Sequence, residues 1–183
     1  LYGLVNDFEG GRRHSVQPAV VYRFDPVDGS LQAMTTPDEV AGPNGLAFSP
    51  DESLLYIVDT AAPAGVFGDS VQDDETIQDR LIHVFDVEEG GRRILGRRDF
   101  YRVNSGNADG IRVDVDGNIW SSAGNGVHCI APDGTFLGRI ATPHLVGNLC
   151  FGGVHGNRLF LCCWDSAYSI HVNTRGIQHP ALP

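Results

Sequence analysis

Apolar residues in this chain gather in short runs, and each run closes on a turn-forming cluster. Val21-Tyr22-Arg23-Phe24 leads into Asp25-Pro26-Val27-Asp28-Gly29, and Ile82-His83-Val84-Phe85 leads into Asp86-Val87-Glu88-Glu89-Gly90. Val127-His128-Cys129-Ile130 leads into Ala131-Pro132-Asp133-Gly134, and Ser169-Ile170-His171-Val172 into Asn173-Thr174-Arg175-Gly176. Runs this short, bounded by Gly, Pro, Asp and Asn, predict β-strands, and no stretch sustains the 3.6-residue period of a helix. Taking Tyr22, His83, His128 and His171 as equivalent gives spacings of 61, 45 and 43 residues. A strand-and-turn period in the low forties is that of a β-propeller blade of four strands. The longer first interval is the same period plus an insertion at about 61–80.

With the blade strands labelled A to D from the axis outward, the second unit reads A at 45–49, B at 54–59, C at 82–86 and D at 94–101. The third reads A at 110–115, B at 118–122, C at 127–131 and D at 136–141. The first unit shows only C (20–25) and D (31–35), and the last only A (148–152), B (158–163) and C (168–173). The expectation is therefore one all-β propeller domain over 1–183, partial, whose first blade lacks A and B and whose last lacks D. An open stack of blades leaves strand edges unpaired, so the chain is expected to be the C-terminal part of a larger propeller.

The repeat carries chemistry. Gly42-Pro43-Asn44-Gly45-Leu46-Ala47-Phe48 returns as Asn107-Ala108-Asp109-Gly110-Ile111-Arg112-Val113. Each copy sets one oxygen-bearing side chain, Asn44 or Asp109, just before an A strand. Hard divalent cations take six to eight oxygen ligands from carboxylates, amides and water, so the pair reads as part of a metal site on the axis. Asn or Asp before Gly is also a common turn signal, and both accounts stand at this level. The blade topology places D–A and B–C loops on the same face, which gathers Asn44, Asn107, Asp109, Asn125, Asn148, Asp165 and the loops 1–18 and 61–80. On that face Asn148 and His14 are the candidate substrate contacts. The acidic insertion with Asp69, Asp73, Asp74, Glu75 and Asp79 reads as a lid or a solvated loop, and the recurring histidines as packing or an exposed strand face.

Composition narrows the partners. The formal net charge of −10 opposes binding to nucleic acid or anionic membrane surfaces, which need clustered cations. No apolar run is long enough to cross a bilayer as a helix. Four cysteines without zinc-ligand spacing read as reduced thiols, which suits a cytoplasmic setting. The chain opens on Leu1, so the periplasm stays open. No Gly-x-Ser-x-Gly is present, which argues against a serine hydrolase.

Gly42 to Asp51, Leu55 to Thr60, Asp109 to Asp114, Asp116 to Trp120 and Asn148 to Gly153 together closely resemble the gluconolactonase/regucalcin-like (SMP-30) family. The segment Tyr2 to Gly11 resembles its bacterial gluconolactonase branch. The resemblance implies a six-bladed propeller with one divalent metal on its axis, calcium first and zinc, magnesium or manganese as alternatives. It implies Asn44 and Asp109 as metal ligands, with Asp109 also catalytic in orienting or deprotonating a water, and a small lactone as substrate. The family's N-terminal glutamate ligand and its Ser-Pro-Asn-Asp substrate asparagine have no counterpart in this chain. A phosphotriesterase on the same metal site, or a non-catalytic propeller fragment, are the alternative readings.

Overall fold

Side chains on a β-strand point alternately to opposite faces, and in this chain both faces of the inner strands are apolar. Tyr56 and Val58 face one way and Leu55 and Ile57 the other, and all four are buried. Such a strand needs a packed layer on each side. The computed structural model describes residues 2–4, 19–60 and 80–177, and its strands form four antiparallel meanders taken in chain order. The first contains β1 (Tyr2–Leu4), β2 (Val21–Phe24) and β3 (Leu31–Ala33). The second contains β4 (Pro43–Phe48), β5 (Leu54–Asp59), β6 (Leu81–Glu88) and β7 (Arg93–Arg102). The third contains β8 (Ile111–Val113), β9 (Ile119–Ala123), β10 (Gly126–Ile130) and β11 (Phe136–Ile140), and the last β12 (Val146–Gly152), β13 (Arg158–Cys163) and β14 (Ala167–His171). These are propeller blades, and among the described residues none of the structure is helical.

Three cores lie between the four sheets. Val21, Leu55, Ile57 and Phe85 fill the first interface, between the first and second sheets. Tyr56, Val58, Ile82, Ile111, Val113 and Ile119 fill the second. Trp120, Val127, Val146, Leu149, Leu159 and Leu161 fill the third. The outermost strands β3, β7 and β11 carry mostly exposed or half-buried positions, as expected for strands far from the axis.

Three expectations are corrected. The first sheet holds a strand the sequence pattern did not reveal: β1 pairs antiparallel with β2 through Tyr2↔Arg23, Gly3↔Tyr22 and Leu4↔Val21, so of the two inner strands said to be missing, one is present. The row of histidines breaks at its last member. Leu46 pairs with Ile57 and Ile57 with His83; Ile111 pairs with Ser121 and Ser121 with His128. The corresponding row of the last sheet is Leu149–Leu161–Tyr168, and His171 is an exposed residue three positions on. Finally, His83 and His128 are both buried, each 1% exposed, which removes the exposed-face alternative.

His128 stands between two polar partners: its Nε2 lies 2.8 Å from Asn125 Oδ1 and its Nδ1 3.2 Å from the Tyr101 hydroxyl. The neutral ring satisfies both, donating to the amide oxygen and accepting from the phenol. Burial first, and Arg139 second, lower its pKa from 6.5. A depressed histidine gives stability that is complete above the unfolded pKa and is lost as pH falls through the folded one. Melting temperature is therefore expected to fall between pH 7 and 5, with a shallower fall in His128→Gln. Parallel pH profiles for the two proteins would contradict this. The four cysteines are free, and burial followed by Asp114 pushes the Cys129 thiol up to about 11, out of reach of ordinary thiolate chemistry.

Candidate functional site

The A strands of successive sheets touch at their beginnings through a repeating backbone bond. Gly45 N–H donates to Asp109 C=O at 2.9 Å, and Gly110 N–H donates to Gly147 C=O at 3.1 Å. Glycine is required at both donor positions because the backbones meet there. A Cβ on Gly45 would run into Asp109 O, and one on Gly110 would run into the Asn148 side chain. The ladder aligns Asn44, Asp109 and Gly147 as one row. Asn148, the sequence candidate for a substrate contact, therefore occupies the glycine position of its repeat, one residue past the row of Asn44 and Asp109.

Asn44 is held by the end of its neighbouring strand. The Asp59 carboxylate accepts from Ala41 N–H at 2.9 Å and from Gly42 N–H at 2.8 Å, and Thr60 N–H donates to Gly42 C=O at 2.9 Å. His83 braces the same carboxylate, its Nε2 3.5 Å from Asp59 Oδ2, while its Nδ1 lies 3.1 Å from Asp99 Oδ1. The peptide leading into Pro43-Asn44 is thus fixed before Asn44 begins. Asp109 is fixed equally. Its N–H donates to Ser122 Oγ at 2.9 Å, Ser122 N–H returns to Gly110 C=O at 3.0 Å, and Gly124 N–H bonds Ser105 C=O at 2.8 Å.

The result is convergence. The Asn44 side chain lies near enough to the Asp109 carboxylate to favour its ionised form. Burial pushes the Asp109 pKa up, and the nearby Asn44 side chain opposes this only in part. No lysine or arginine contributes to that balance. A desolvated carboxylate with a neutral amide beside it and no cation among the described residues matches hard-cation chemistry, with oxygen donors on both sides. The set is partial. Among the described residues no group of three or more His, Cys, Asp and Glu could hold a metal ion, and Asn44 and Asp109 together offer two oxygen-bearing side chains.

The remaining candidates divide. Asn148 is exposed; its Oδ1 accepts from Leu149 N–H at 2.8 Å and lies against Gly110, next to Asp109. Asn125 is turned to His128, and Asn107 is exposed. His14 and the acidic loop 61–79 lie outside the described residues. Sequence reading missed three contributors: Asp59, Ser122 and Gly147. Asp59 was visible as the polar end of an apolar strand. Ser122 and Gly147 gave no signal of their own, because their roles come from pairing between sheets. Gly147 leaves room beside the carboxylate: a Cβ there would sit 3.7 Å from Asp109 Oδ2 and 3.9 Å from Cys162 O.

Comparison with known proteins falls on the same motifs. The family model for the SMP-30/Gluconolactonase/LRE-like region matches residues 2–164. The chain is 32% identical over 171 residues to the lactonohydrolase oryH of Aspergillus oryzae, covering 90% of this chain and 35% of that protein. It is 30% identical over 186 residues to a gluconolactonase of Zymomonas mobilis, covering 96% and 46%. A solved gluconolactonase from Xanthomonas campestris superposes with a TM-score of 0.69 at 35% identity, over 87% of this chain and 46% of that one. The chain thus spans about a third to a half of the length of these relatives.

Proposed function

The chain belongs to the SMP-30/gluconolactonase/LRE-like family, and on that premise we propose that it supplies part of a divalent-metal-dependent lactonase acting on sugar lactones. Asn44 and Asp109 are its share of the metal ligands. The observation that carries the reading is their placement side by side from successive blades, with Gly45 N–H bonded to Asp109 C=O at 2.9 Å, and the Asp109 carboxylate desolvated with no basic side chain among the described residues offsetting it. Its support from relatives lies in the names lactonohydrolase and gluconolactonase.

Oxygen donors alone favour calcium, with magnesium or manganese next; zinc ordinarily takes nitrogen or sulfur. A divalent cation bound there supplies Lewis-acid polarisation of the lactone carbonyl. The chain's own residues do the positioning. Asp109, pinned at its N–H by Ser122, presents one carboxylate oxygen toward the space over Gly147 and orients a water there. Burial alone makes this carboxylate a better proton acceptor than an exposed one, and a neighbouring cation reverses that shift; orientation is therefore its role in the loaded site. The acidic chain suits a small uncharged lactone as partner.

The test is lactone hydrolysis by the chain before and after chelation. Release of acid from glucono-1,5-lactone is expected to fall to the spontaneous rate with chelator and to recover with added calcium. Hydrolysis indifferent to chelator refutes the metal assignment. A second reading, a non-catalytic part of a propeller, is favoured by the two-donor site. Calcium binding without hydrolysis would select it.

A further inference from the structure

The face that carries Asn44 and Asp109 has a second feature, at the tip of the last sheet. Strands β13 and β14 are joined by a two-residue hairpin turn, Trp164-Asp165. Cys163 N–H donates to Ser166 C=O at 2.8 Å and Ser166 N–H returns to Cys163 C=O at 3.4 Å. Turn tips favour Gly, Asn, Asp, Ser and Pro, and Asp165 obeys: it accepts from Ser166 Oγ at 2.9 Å. Trp164 does not. Its indole is 77% exposed, although burying a large aromatic side chain favours the fold. No core among the described residues covers this tryptophan, and turn geometry does not explain it.

Its position does. Cys163 pairs with Val146, so the turn stands directly over the start of β12. The next residue, Gly147, is the bare position beside Asp109 Oδ2, and the same position contacts Cys162 O. Gly147 is therefore beside Asp109, and the Trp164-Asp165 turn continues the strand that pairs with Val146, the residue before Gly147, on the same face. Across from the turn, His144 Nε2 lies 4.0 Å from Asp165 Oδ1, and the loop carrying His144 is drawn in by Thr142 Oγ1 donating to His144 C=O at 2.6 Å. An exposed tryptophan thus precedes in sequence a carboxylate that faces an imidazole, and Gly147 sets no side chain beside the Asp109 carboxylate.

We propose that Trp164, with Asp165 and His144, is the subsite for the polyol ring of a sugar lactone, seated over Gly147 with its carbonyl toward Asp109. This deepens the lactonase reading and rests on it. A pyranose-type ring presents an apolar face of C–H groups, which suits an indole plane, and a rim of hydroxyls, which suit a carboxylate acceptor and an imidazole. A small unsubstituted lactone has no hydroxyl rim and gains little from the subsite. Discrimination between the two thus resides in the Trp164-Asp165 turn rather than in the metal ligands.

The chain has two tryptophans, which makes the test direct. Trp120 is 8% exposed and its Nε1 donates to Asp114 Oδ2 at 2.9 Å, so it serves as an internal reference while Trp164 reports. Titration of the chain with 1,5-anhydroglucitol, a ring polyol with no hydrolysable carbonyl, is expected to change indole emission saturably. In Trp164→Ala the change disappears while Trp120 emission persists. Kinetically, Trp164→Ala is expected to raise KM for glucono-1,5-lactone about tenfold, leaving KM for δ-valerolactone unchanged, and Trp164→Phe restores most of the difference. Emission unmoved by the polyol overturns the proposal, as does an equal loss on both lactones. An emission shift that follows protein concentration without sugar assigns the indole to a contact between copies and overturns it too. Saturable emission with neither lactone hydrolysed leaves the subsite standing and sinks the lactonase reading instead.

Discussion

Replacing Asp109 by alanine is expected to lower divalent-ion affinity at least about 100-fold and to take lactone hydrolysis with it. The magnitude is a floor: partners that only orient a metal ligand already cost 10–100-fold when removed, and Asp109 is the only carboxylate of the described pair. The fold should persist. Asp109 holds its neighbours through backbone groups, accepting from Gly45 N–H and donating to Ser122 Oγ, and alanine keeps both. Calorimetric titration of the variant with calcium, beside circular dichroism to show the sheets intact, reads the two effects separately. Wild-type affinity in a folded Asp109→Ala protein would end the metal proposal.

The isosteric variant separates ligand from liability. Burial raises the pKa of Asp109, so the folded chain holds that proton more tightly than the unfolded one. Stability is then greatest below the carboxyl's titration and falls as pH rises through it. At neutral pH, without metal, the ionised group works against the fold. Asp109→Asn is expected to melt higher than wild type in chelator and to lose that advantage in saturating calcium. Only the wild type gains from the ion, by about 2.7 kcal/mol at a hundredfold excess over Kd. A group that costs stability when empty and repays it when loaded belongs to a site rather than to a scaffold.

How far the sequence reached follows from what each element depends on. β5 at Leu54–Asp59 and β13 at Arg158–Cys163 fall where their apolar runs end, because a buried middle strand is specified by its own residues. β4 and β12 begin earlier than the pattern placed them. Each carries a register shift at its start, between Pro43 and Leu46 and between Val146 and Asn148, and a bulge is a property of the pair. β1 is three residues around a glycine, too short to leave a period. The site divides in the same way. The equivalence of positions 44 and 109 was legible because Gly45 and Gly110 repeat beside them, and those glycines are enforced by contact between blades. The third repeat has Asn148 where the others have glycine and Gly147 where they have Asn44 and Asp109, so residue type alone does not reveal its register. His171 failed for the same reason, since identity of residue stood in for identity of register.

Asp114 organises the turn after β8 and is buried completely. It follows β8 at the end away from Asp109. Its Oδ1 accepts from Asp116 N–H at 3.0 Å and Asn118 N–H at 2.8 Å, and its Oδ2 from Asn118 Nδ2 at 3.0 Å and Trp120 Nε1 at 2.9 Å. The same turn anchors the last blade's return. Val115 N–H donates to Arg175 C=O at 3.0 Å and Ile177 N–H to Val113 C=O at 3.2 Å. Asp114→Ala strands several of these donors, at roughly 1–3 kcal/mol for each that water cannot reach. The two turn N–H groups can be rehydrated; Trp120 Nε1, in the third core, has less recourse. A loss of about 3–5 kcal/mol is expected, a fall in melting temperature on the order of 10 °C for a chain of this length. A double-mutant cycle with Trp120→Phe isolates the carboxylate–indole bond and should return a coupling of about 1–2 kcal/mol. A change within about 0.5 kcal/mol, the range of ordinary surface substitutions, would mean the turn stands without its carboxylate. Calcium affinity measured below the variant's melting transition should match wild type, because the two aspartates stand at opposite ends of the β8 segment and serve different tasks.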